Sequence, residues 1–422
     1  MKESGVEWIG EIPEGWVINP LSNRFKEHKV KNIGNTEKNV LSLSYGHIVK
    51  RNVNNNKGLL PESFETYNIV FPGNIVMRLT DLQNDQKSWR VGLVKEKGII
   101  TSAYLTLEAE CNDISNTFYY YLFHIYDRTK IIYNMGNGVR QNLKYSELSK
   151  MPIVVPPIKQ QTRLASFLDT KSSLIDAAVQ KEREVITKLK EYRQAVITEA
   201  VTKGIRAGVL MKKSGVEWIG EIPADWEIRK LKTLGIARNG LTYSPNDLSD
   251  DGLLVLRSSN IQKQRLSYED NIYVKMDVIS DLIVKENDLL ICSRNGSRNL
   301  IGKCALIDKV SEGNTFGAFM CIYRSEFNKF IHYVMESSIF SYYLSSFLTS
   351  TISQLTLTNL NTIKIPFPPN TQTQLKIVSY LDAKCSAIDA TIQKRELAIE
   401  KLTAYKQSLI YECVTGKREV LA

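Results

Sequence analysis

The stretch SGVEWIGEIP occupies residues 4–13, and the same ten residues return unchanged at 214–223. A tryptophan follows three residues after each copy, at Trp16 and Trp226. Two further stretches match each other, MPIVVPP at 151–157 and IKIPFPP at 363–369. Several matching stretches at nearly the same spacing, 210 and 212 positions here, indicate an internal repeat. We conclude that the chain is a tandem duplication of a variable segment followed by a helical one.

The segments after each Pro-Pro pair are predicted to be long helices. They contain no Gly or Pro between residues 160 and 203, or between 372 and 415. Their composition favours helix, and their apolar residues recur three and four positions apart. Gly204 and Gly416 stand where helices commonly end. Counted from Lys171 to Lys203, the first helix is expected to be roughly 50 Å long. The two helices are expected to pack together as a coiled coil.

Between the repeated stretches the sequence is typical of mixed β structure. Runs of β-branched or alternating residues, interrupted by Asn and Gly, predict strands. These runs lie at 39–49, 73–80, 91–96 and 99–110, and again at 252–261, 287–294 and 301–308. Aromatic-rich segments at 116–134 and 328–348 are predicted to be short helices. Their rings are expected to pack on a sheet, and stacking on nucleic-acid bases is the alternative.

The predicted fold class is therefore α+β, with two mixed α/β domains in tandem and two long helices between and after them. The predicted segments are a first domain at 1–157, a first helix at 158–206, a second domain at 207–369, and a second helix with a C-terminal tail at 370–422. The repeated parts match well, whereas the middles of the two domains match poorly. Two copies of one scaffold with different surfaces suit a protein that reads two different things.

The charge balance favours a polyanionic partner. The chain has 55 Lys and Arg against 45 Asp and Glu, a net charge of +10. Such an excess attracts nucleic acid, and simple solubility charge is the alternative. The N-terminus lacks the pattern of a signal peptide, and no stretch is apolar enough to span a membrane. The six cysteines form no CxxC pair. A cytoplasmic protein without a membrane partner or metal site is predicted.

Catalytic motifs are not visible in the sequence. The GxxxxGK[ST] loop fails at Gly302-Lys303 and at Gly416-Lys417, because Ser297 and Tyr411 stand where the first Gly belongs. A nucleophile elbow and the HExxH zinc motif are also missing. Glu96 with its lysine neighbours fits a nuclease pattern that is too common to indicate catalysis. A non-catalytic chain is predicted.

The motifs at the starts and ends of the two variable domains resemble those of a known family. GEIPEGW and GEIPADW begin the two variable domains, and NLKYSELSKMPIVVPP and QLTLTNLNTIKIPFPP end them. Together with the repeated helices, these motifs look like the DNA specificity (S) subunit of a type I restriction-modification system. The resemblance covers nearly the whole chain and rests on the order and spacing of the motifs.

The resemblance implies two target-recognition domains, each reading one half of a bipartite site in double-stranded DNA. It implies that the long helices form an antiparallel coiled coil with pseudo-two-fold symmetry, which sets the distance between the halves. It also implies that two methyltransferase (M) subunits dock to make a DNA adenine-N6 methyltransferase, and that restriction (R) subunits add an ATP-dependent endonuclease. S-adenosylmethionine, ATP and Mg²⁺ would then be bound by the partner subunits.

Candidate DNA-binding residues are polar side chains, clustered after the strands, that can pair with base edges. In the first domain they are Tyr45, His47, Lys50, Arg51, Arg78, Thr80, Gln83, Lys87, Arg90, Arg140, Gln141 and Asn142. In the second they are Arg257, Ser259, Asn260, Arg294, Asn295, Ser297, Arg298 and Asn299. The run SRNGSRN at 293–299 is the sharpest candidate, although it would also make an ordinary polar turn.

A second line of apolar residues on the helices is the candidate surface for binding M subunits. It comprises Val179, Ile186, Ile197, Ile392, Ile399 and Ile410. Packing against the recognition domains of the same chain is the alternative. For the whole chain, the competing functions are a non-catalytic protein-interaction scaffold, with duplicated β-rich domains on a coiled-coil stalk, and an enzyme such as a nuclease with an unrecognised site.

Overall fold

The structure is a computed structural model that describes residues 1–51, 63–82, 89–135, 142–348 and 354–420. The chain forms two compact units. Unit 1 contains Met1–Glu182 and Leu397–Ala422, and unit 2 contains Arg183–Glu396. Each unit therefore includes part of both long helices. The sequence predicts boundaries between recognition domains and long helices at residues 157, 206 and 369. These boundaries stay predictions.

Unit 1 is a β-rich body with one buried helix and parts of the two long ones. Its strands are β1 Lys2–Glu3, β2 Glu11–Ile12, β3 Val17–Pro20, β4 Phe25–Glu27, β5 Leu41–Ser44, β6 His47–Lys50, β7 Asn68–Val70, β8 Ile75–Met77, β9 Val91–Leu93, β10 Gly98–Ile100, β11 Leu105–Ala109 and β12 Pro152–Val155. Its helices are α1 Asn116–Arg128, α2 Tyr145–Leu148 and the first part of α3 Ile158–Lys203.

Unit 2 has the same kind of architecture as unit 1 and contains additional short strands. Its strands are β13 Met211–Lys213, β14 Glu221–Pro223, β15 Glu227–Lys230, β16 Ile236–Asn239, β17 Leu248–Ser249, β18 Leu253–Leu256, β19 Ile261–Gln262, β20 Arg265–Leu266, β21 Tyr273–Val274, β22 Leu289–Cys292, β23 Cys304–Leu306, β24 Thr315–Phe316, β25 Met320–Arg324 and β26 Lys364–Phe367. Its helices are α4 Asn328–Glu336, α5 Ser338–Phe347, α6 Leu357–Thr362 and the first part of α7 Thr371–Val414.

Both units contain the same four-stranded antiparallel sheet. The strand order is β4-β11-β8-β9 in unit 1 and β16-β25-β22-β23 in unit 2. A second pairing also recurs, because β3 pairs with β12 and β15 pairs with β26. The duplication therefore extends through the variable middles, where the two sequences no longer match. The strands predicted in these segments are confirmed.

The aromatic segment of unit 1 packs inward. Phe25 on β4 contacts Tyr119 and Phe123 of α1 with ring centroids 5.1 Å and 5.7 Å apart. All three side chains are buried in the core of unit 1. In unit 2, Phe330 and Val334 of α4 are buried likewise. The prediction that these rings pack on the sheet is confirmed, and the alternative that the stripes stack on bases is wrong for these residues.

The two predicted long helices are present, with 46 residues in α3 and 44 in α7. Each ends at a glycine in the left-handed region, Gly204 at φ 76° and Gly416 at φ 75°. Side chains other than glycine are strained in that conformation, so these residues terminate the helices as predicted. Within the part of the chain that the structure describes, no helix is long and apolar enough to cross a membrane.

In unit 1 the parts of α3 and α7 run antiparallel. Trp16 donates a hydrogen bond to Gln160 near the start of α3, at 2.6 Å, and lies against Gly416 at the end of α7. Further along α3, Asp176 forms an ion pair with Lys406 at 2.7 Å. The chain number therefore rises along one helix as it falls along the other, as the resemblance implied.

In unit 2 the second part of α3 packs against the first part of α7 in the same sense. Arg193 forms ion pairs with Asp389 at 3.1 Å and with Glu336 of α4 at 2.6 Å. Further along α3, Val201 shares a core with Ile377 near the start of α7. Each unit is thus stabilised by residues from both copies of the helical repeat.

Candidate nucleic-acid interface

The first candidate surface is the hairpin turn between β5 and β6. Tyr45 and Gly46 both have positive φ, 46° and 78°, which is the geometry of a two-residue type I′ turn. A Cβ at position 46 would lie 2.9 Å from the Trp89 ring, so only glycine fits there. The turn directs Tyr45 into solvent, where it is 82% exposed. A ring presented in this way is able to stack on a base or pack against a sugar.

The other predicted residues of this hairpin are polar and accessible. Lys50 is exposed and forms an ion pair with Glu96 at 2.9 Å, and Arg51 follows it partly buried. His47 is exposed on β6. Partial desolvation, followed by the nearby positive charge of Lys406, lowers the pKa of His47. A lowered pKa favours the neutral imidazole, which offers one donor and one acceptor rather than a positive charge.

Arg90 is predicted to bind DNA, and the structure contradicts this prediction. Its side chain is fully buried, at 0% exposure. The guanidinium donates to the carbonyls of Arg78 and Thr80 at 3.1 Å and 2.8 Å, to the carbonyl of Asp81 at 3.2 Å, and to the Tyr133 hydroxyl at 2.9 Å. Such a residue has no surface that a base could contact. The prediction was wrong because the sequence does not show that four acceptors converge on this side chain.

Arg90 instead shapes the loop that carries the neighbouring candidates. The loop follows β8 and contains Arg78 and Thr80, both partly exposed. Asn142 accepts a hydrogen bond from the backbone N–H of Asp81 at 2.8 Å, which ties a second segment to the loop. Thr80 and Asn142 both line an open cleft of about 510 Å³. The structure therefore brings Thr80 and Asn142 together just after β8, in the loop that begins with Arg78.

Four predicted residues of the first domain, Gln83, Lys87, Arg140 and Gln141, lie outside the described residues. They stay predictions. Two of them lie in sequence between the loop and Arg90, and the other two directly precede Asn142.

In unit 2 the turn at 257–260 is partly structural. Asn260 is fully buried and accepts a hydrogen bond from the N–H of Arg257 at 2.9 Å. Its amide group donates to the carbonyls of Ser267 and Asp270, at 3.0 Å and 3.2 Å. The prediction that Asn260 binds DNA is therefore wrong in this structure, since the side chain uses its hydrogen-bonding capacity inside the turn. Ser259 is only partly exposed.

The run SRNGSRN follows β22, and its residues are exposed except for the buried Ser293 and the partly buried Asn295. Its contact with DNA stays a prediction. Asn295 donates to the hydroxyl of Ser258 at 3.1 Å, and this bond links the run to the turn that carries Arg257. Arg294 donates to the side chain of Gln354. Arg298 donates to the carbonyl of Leu348. Ser297 and Asn299 are also exposed. The two predicted clusters of unit 2 thus form one surface.

Phe319 belongs to this surface and was missed from the sequence. It precedes β25, and its ring is 60% exposed. The guanidinium of Arg294 lies over that ring, 5.9 Å from its centroid. The sequence FGAFMCIY is typical of a buried strand, and nothing in it distinguishes the exposed Phe319 from the buried Phe316. The ring attracts the guanidinium electrostatically and favours its position over the ring face.

The predicted M-binding line on the helices is largely inaccessible. Ile197 lies in the core of unit 2 and Ile410 in the core of unit 1, with 0% and 2% exposure. Ile186 and Ile392 are buried, and Val179 packs against the core of unit 1. The prediction was wrong for the buried members, because a periodic apolar line does not reveal which side the chain itself covers. Ile399 is partly buried and stays a prediction.

Comparison with known proteins supplies the decisive observation. A family model described as "Type I restriction modification DNA specificity domain" matches residues 29–188 and again residues 223–401. The chain belongs to this family. Each match to the specificity family begins near the start of one copy of the repeat and ends within its long helix. The two matches together cover well over half of the chain.

Individual relatives of this specificity family are distant but extensive. The "Type I restriction enzyme MjaVIII specificity subunit" of Methanocaldococcus jannaschii is 25% identical over 77% of this chain and 75% of its own length. The "Type I restriction enzyme EcoKI specificity subunit" of Escherichia coli strain K12 is 25% identical over 72% of this chain and 67% of its own length.

A solved structure shares the fold. It is described as the "Structural basis underlying complex assembly and conformational transition of the type I R-M system". It covers 97% of this chain and all of the solved chain, with a TM-score of 0.69 and 14% identity. At that identity the likeness concerns the fold alone.

Proposed function

We propose that this chain recognises a bipartite DNA sequence, with unit 1 reading one part and unit 2 reading the other. One observation carries the proposal. The candidate readers Arg78 and Arg294 follow β8 and β22, which are equivalent strands of the repeated sheet. The same end of the same scaffold thus presents two different polar surfaces, as expected for two readers with different targets.

The chemistry of these surfaces suits base edges. Arginine pairs with guanine through two donors, and asparagine pairs with adenine through a donor and an acceptor. Unit 1 offers Arg78 together with Asn142, which is tied to the same loop through Asp81, and unit 2 offers Arg294 and Asn295. The net charge of +10 adds attraction to the phosphate backbone. A specificity subunit needs both, because phosphate contacts position the protein and base contacts select the sequence.

The proposal includes catalytic partners. Two M subunits would supply adenine-N6 methylation and R subunits would supply DNA cleavage. S-adenosylmethionine, ATP and Mg²⁺ would be bound by these partners rather than by this chain. The catalytic motifs sought in the sequence are not found, which supports this division of labour. On the helices, Tyr192 and Tyr405 occupy matching positions and are 54% and 50% exposed, so we place an M contact there.

The experiment is to co-express the chain with its M subunit and map methylated adenines across a genome. We expect one motif made of two defined parts with a constant gap. A motif with a single part, or no motif, would reject bipartite recognition. The same complex should shift duplex DNA in a gel, and the shift should weaken as salt rises. A complex that forms but binds no DNA at any salt would favour a protein-interaction scaffold instead.

A further inference from the structure

The repeated decapeptide contains residues whose identity the fold explains. Ile9 and Ile12 are buried in unit 1, and Ile219 and Ile222 are buried in unit 2. Its glycines adopt positive φ in both copies. The serine that begins the decapeptide caps the turn in both copies, because its hydroxyl accepts a hydrogen bond from the backbone N–H two residues later. These residues have structural reasons to be the same.

Three other positions are not explained by burial in the core. Glu7, Trp8 and Glu11 are exposed, and so are their counterparts Glu217, Trp218 and Glu221. The tryptophans are 41% and 40% exposed. Within the described part of the chain, the four glutamate carboxylates have no ion-pair partner. Burial, backbone conformation and ion pairing inside the chain therefore do not account for these identical residues.

The adjacent exposed positions show that surface residues here have been free to change. Directly after the decapeptide, the exposed Gly15 of the first copy corresponds to the exposed Asp225 of the second, and the exposed Glu14 corresponds to the partly buried Ala224. The pattern of exposure is otherwise nearly the same in the two copies. The exposed residues that are identical in both copies are therefore subject to a requirement that the differing residues do not share.

Tyrosines from segments that do not match in sequence lie beside both tryptophans. Trp8 lies beside Tyr126 of α1. The ring of Trp218 stacks on Tyr342 of α5 with centroids 4.5 Å apart and lies edge-on to Tyr343 with centroids 5.3 Å apart. In unit 2 these ring contacts restrain the orientation of the exposed indole. An indole held in this way presents a rigid apolar face at little cost in side-chain entropy.

We propose that Trp8 with Glu7 and Glu11, and Trp218 with Glu217 and Glu221, bind the same surface on two copies of one partner subunit. Identical anchors require identical acceptors, so the partner presents one slot for an indole, bordered by basic side chains. DNA does not fit, because four carboxylates would repel its phosphates. This inference rests on the proposed function, under which the partner present in two copies is the M subunit.

Charge reversal at the glutamates tests the inference without touching the core. The variants are Glu7→Lys with Glu11→Lys, Glu217→Lys with Glu221→Lys, and all four together. The matched control is Glu14→Lys with Asp225→Lys, which adds lysines at the exposed positions just outside the anchors. Each chain is co-expressed with the M subunit, and the copies bound are counted by native mass spectrometry while the affinity is measured by titration.

We expect the unmodified chain and the control to bind two copies of the M subunit. Each two-site variant should bind one of the two copies at least tenfold more weakly. The four-site variant should bind both copies more weakly. Far-ultraviolet circular dichroism should be the same for all chains. Two copies bound with unchanged affinity by the four-site variant would overturn the anchors alone. An unmodified chain that recruits no M subunit would overturn the proposed function with them.

Discussion

The hydroxyl of Tyr121 on α1 donates a hydrogen bond to the carboxylate of Asp169 on α3 at 2.8 Å. Unit 2 repeats the contact, since Tyr333 on α4 donates to Asp382 on α7 at 2.5 Å. Burial, followed by this hydrogen bond, raises the pKa of both tyrosines. The aromatic helix of each unit is thus fastened to the long helix that begins there. This contact recurs even though the segments around the two tyrosines have diverged.

Replacing Tyr121 by Phe removes the hydroxyl and keeps the ring. We expect a loss of about 1 kcal/mol in the free energy of unfolding, because the exposed Asp169 regains water as a partner. Urea denaturation measures the effect. A double-mutant cycle with Asp169→Ala, which removes the acceptor, should show that the two changes are not additive. Additive effects would mean that the hydrogen bond contributes nothing.

Replacing Arg90 by Gln should remove the support of the reading loop in unit 1. The expected result is that the part of the DNA site read by unit 1 becomes degenerate, while the part read by unit 2 is retained. Arg90→Lys should behave similarly, since an ammonium group does not reproduce the planar fork that reaches several carbonyls. Methylation mapping with the M subunit gives the readout. Equal degeneracy in both parts would contradict a local role.

Arg294→Ala should relax specificity at one base pair. The cation–π contact of Arg294 with Phe319 and its hydrogen bond to Gln354 restrain the guanidinium. We expect a loss of about 1–3 kcal/mol in discrimination at that base pair. Lys275→Ala is the control, because Lys275 is exposed and pairs only with Asp251 at 3.7 Å among the described residues. Uniform weakening on all sequences, with a smaller salt dependence, would identify a phosphate contact instead.

The sequence predicted the long helices and the strands well because their signals are local. The stretch from 160 to 203 has no Gly or Pro, and its apolar periodicity fits a helix. The predicted start and end of α3 agree with the structure within a few residues. Local periodicity also revealed a second apolar line on the helices. It did not reveal that Ile197 and Ile410 are covered by the chain itself.

The candidate site was predicted less well, for a physical reason. Whether an arginine faces DNA or the interior depends on carbonyls that distant segments bring to it. Arg90 and Arg294 both follow or precede strands in polar sequence, yet Arg90 is fully buried and Arg294 is exposed. The converging acceptors around Arg90 come from residues 78–81 and from Tyr133. No local pattern encodes that convergence, so polarity alone overestimates the set of DNA contacts.

The stability of unit 1 should fall in mild acid because of His124. Burial, followed by the charge of Arg128, lowers the pKa of this histidine from 6.5 to about 4. The unfolded chain takes up a proton below pH 6.5, whereas the folded chain does not until about pH 4. Folding stability is therefore complete above pH 6.5 and declines as the pH falls. At pH 5 the loss should be about 2 kcal/mol.

The measurement is urea denaturation at pH 7 and at pH 5, compared with His124→Asn. The variant should be less stable at pH 7, because His124 packs on Trp89 with ring centroids 5.0 Å apart. Its stability should nevertheless change less between the two pH values, since asparagine does not titrate. An identical pH dependence in both chains would show that His124 is not responsible.

Lengthening both long helices should lengthen the unread gap in the DNA site. Each helix contributes residues to both units, so four residues inserted after Glu182 in α3 and after Glu396 in α7 extend the chain between them in register. Four residues add about 6 Å and turn the helix by about 40° beyond a full turn. Since DNA rises about 3.4 Å per base pair, we expect a gap longer by about two base pairs, with both parts of the motif unchanged. Insertion in α3 alone should instead disrupt the register of the two helices and abolish methylation. An unchanged gap in the doubly extended chain, measured by methylation mapping, would show that the helices do not set the spacing.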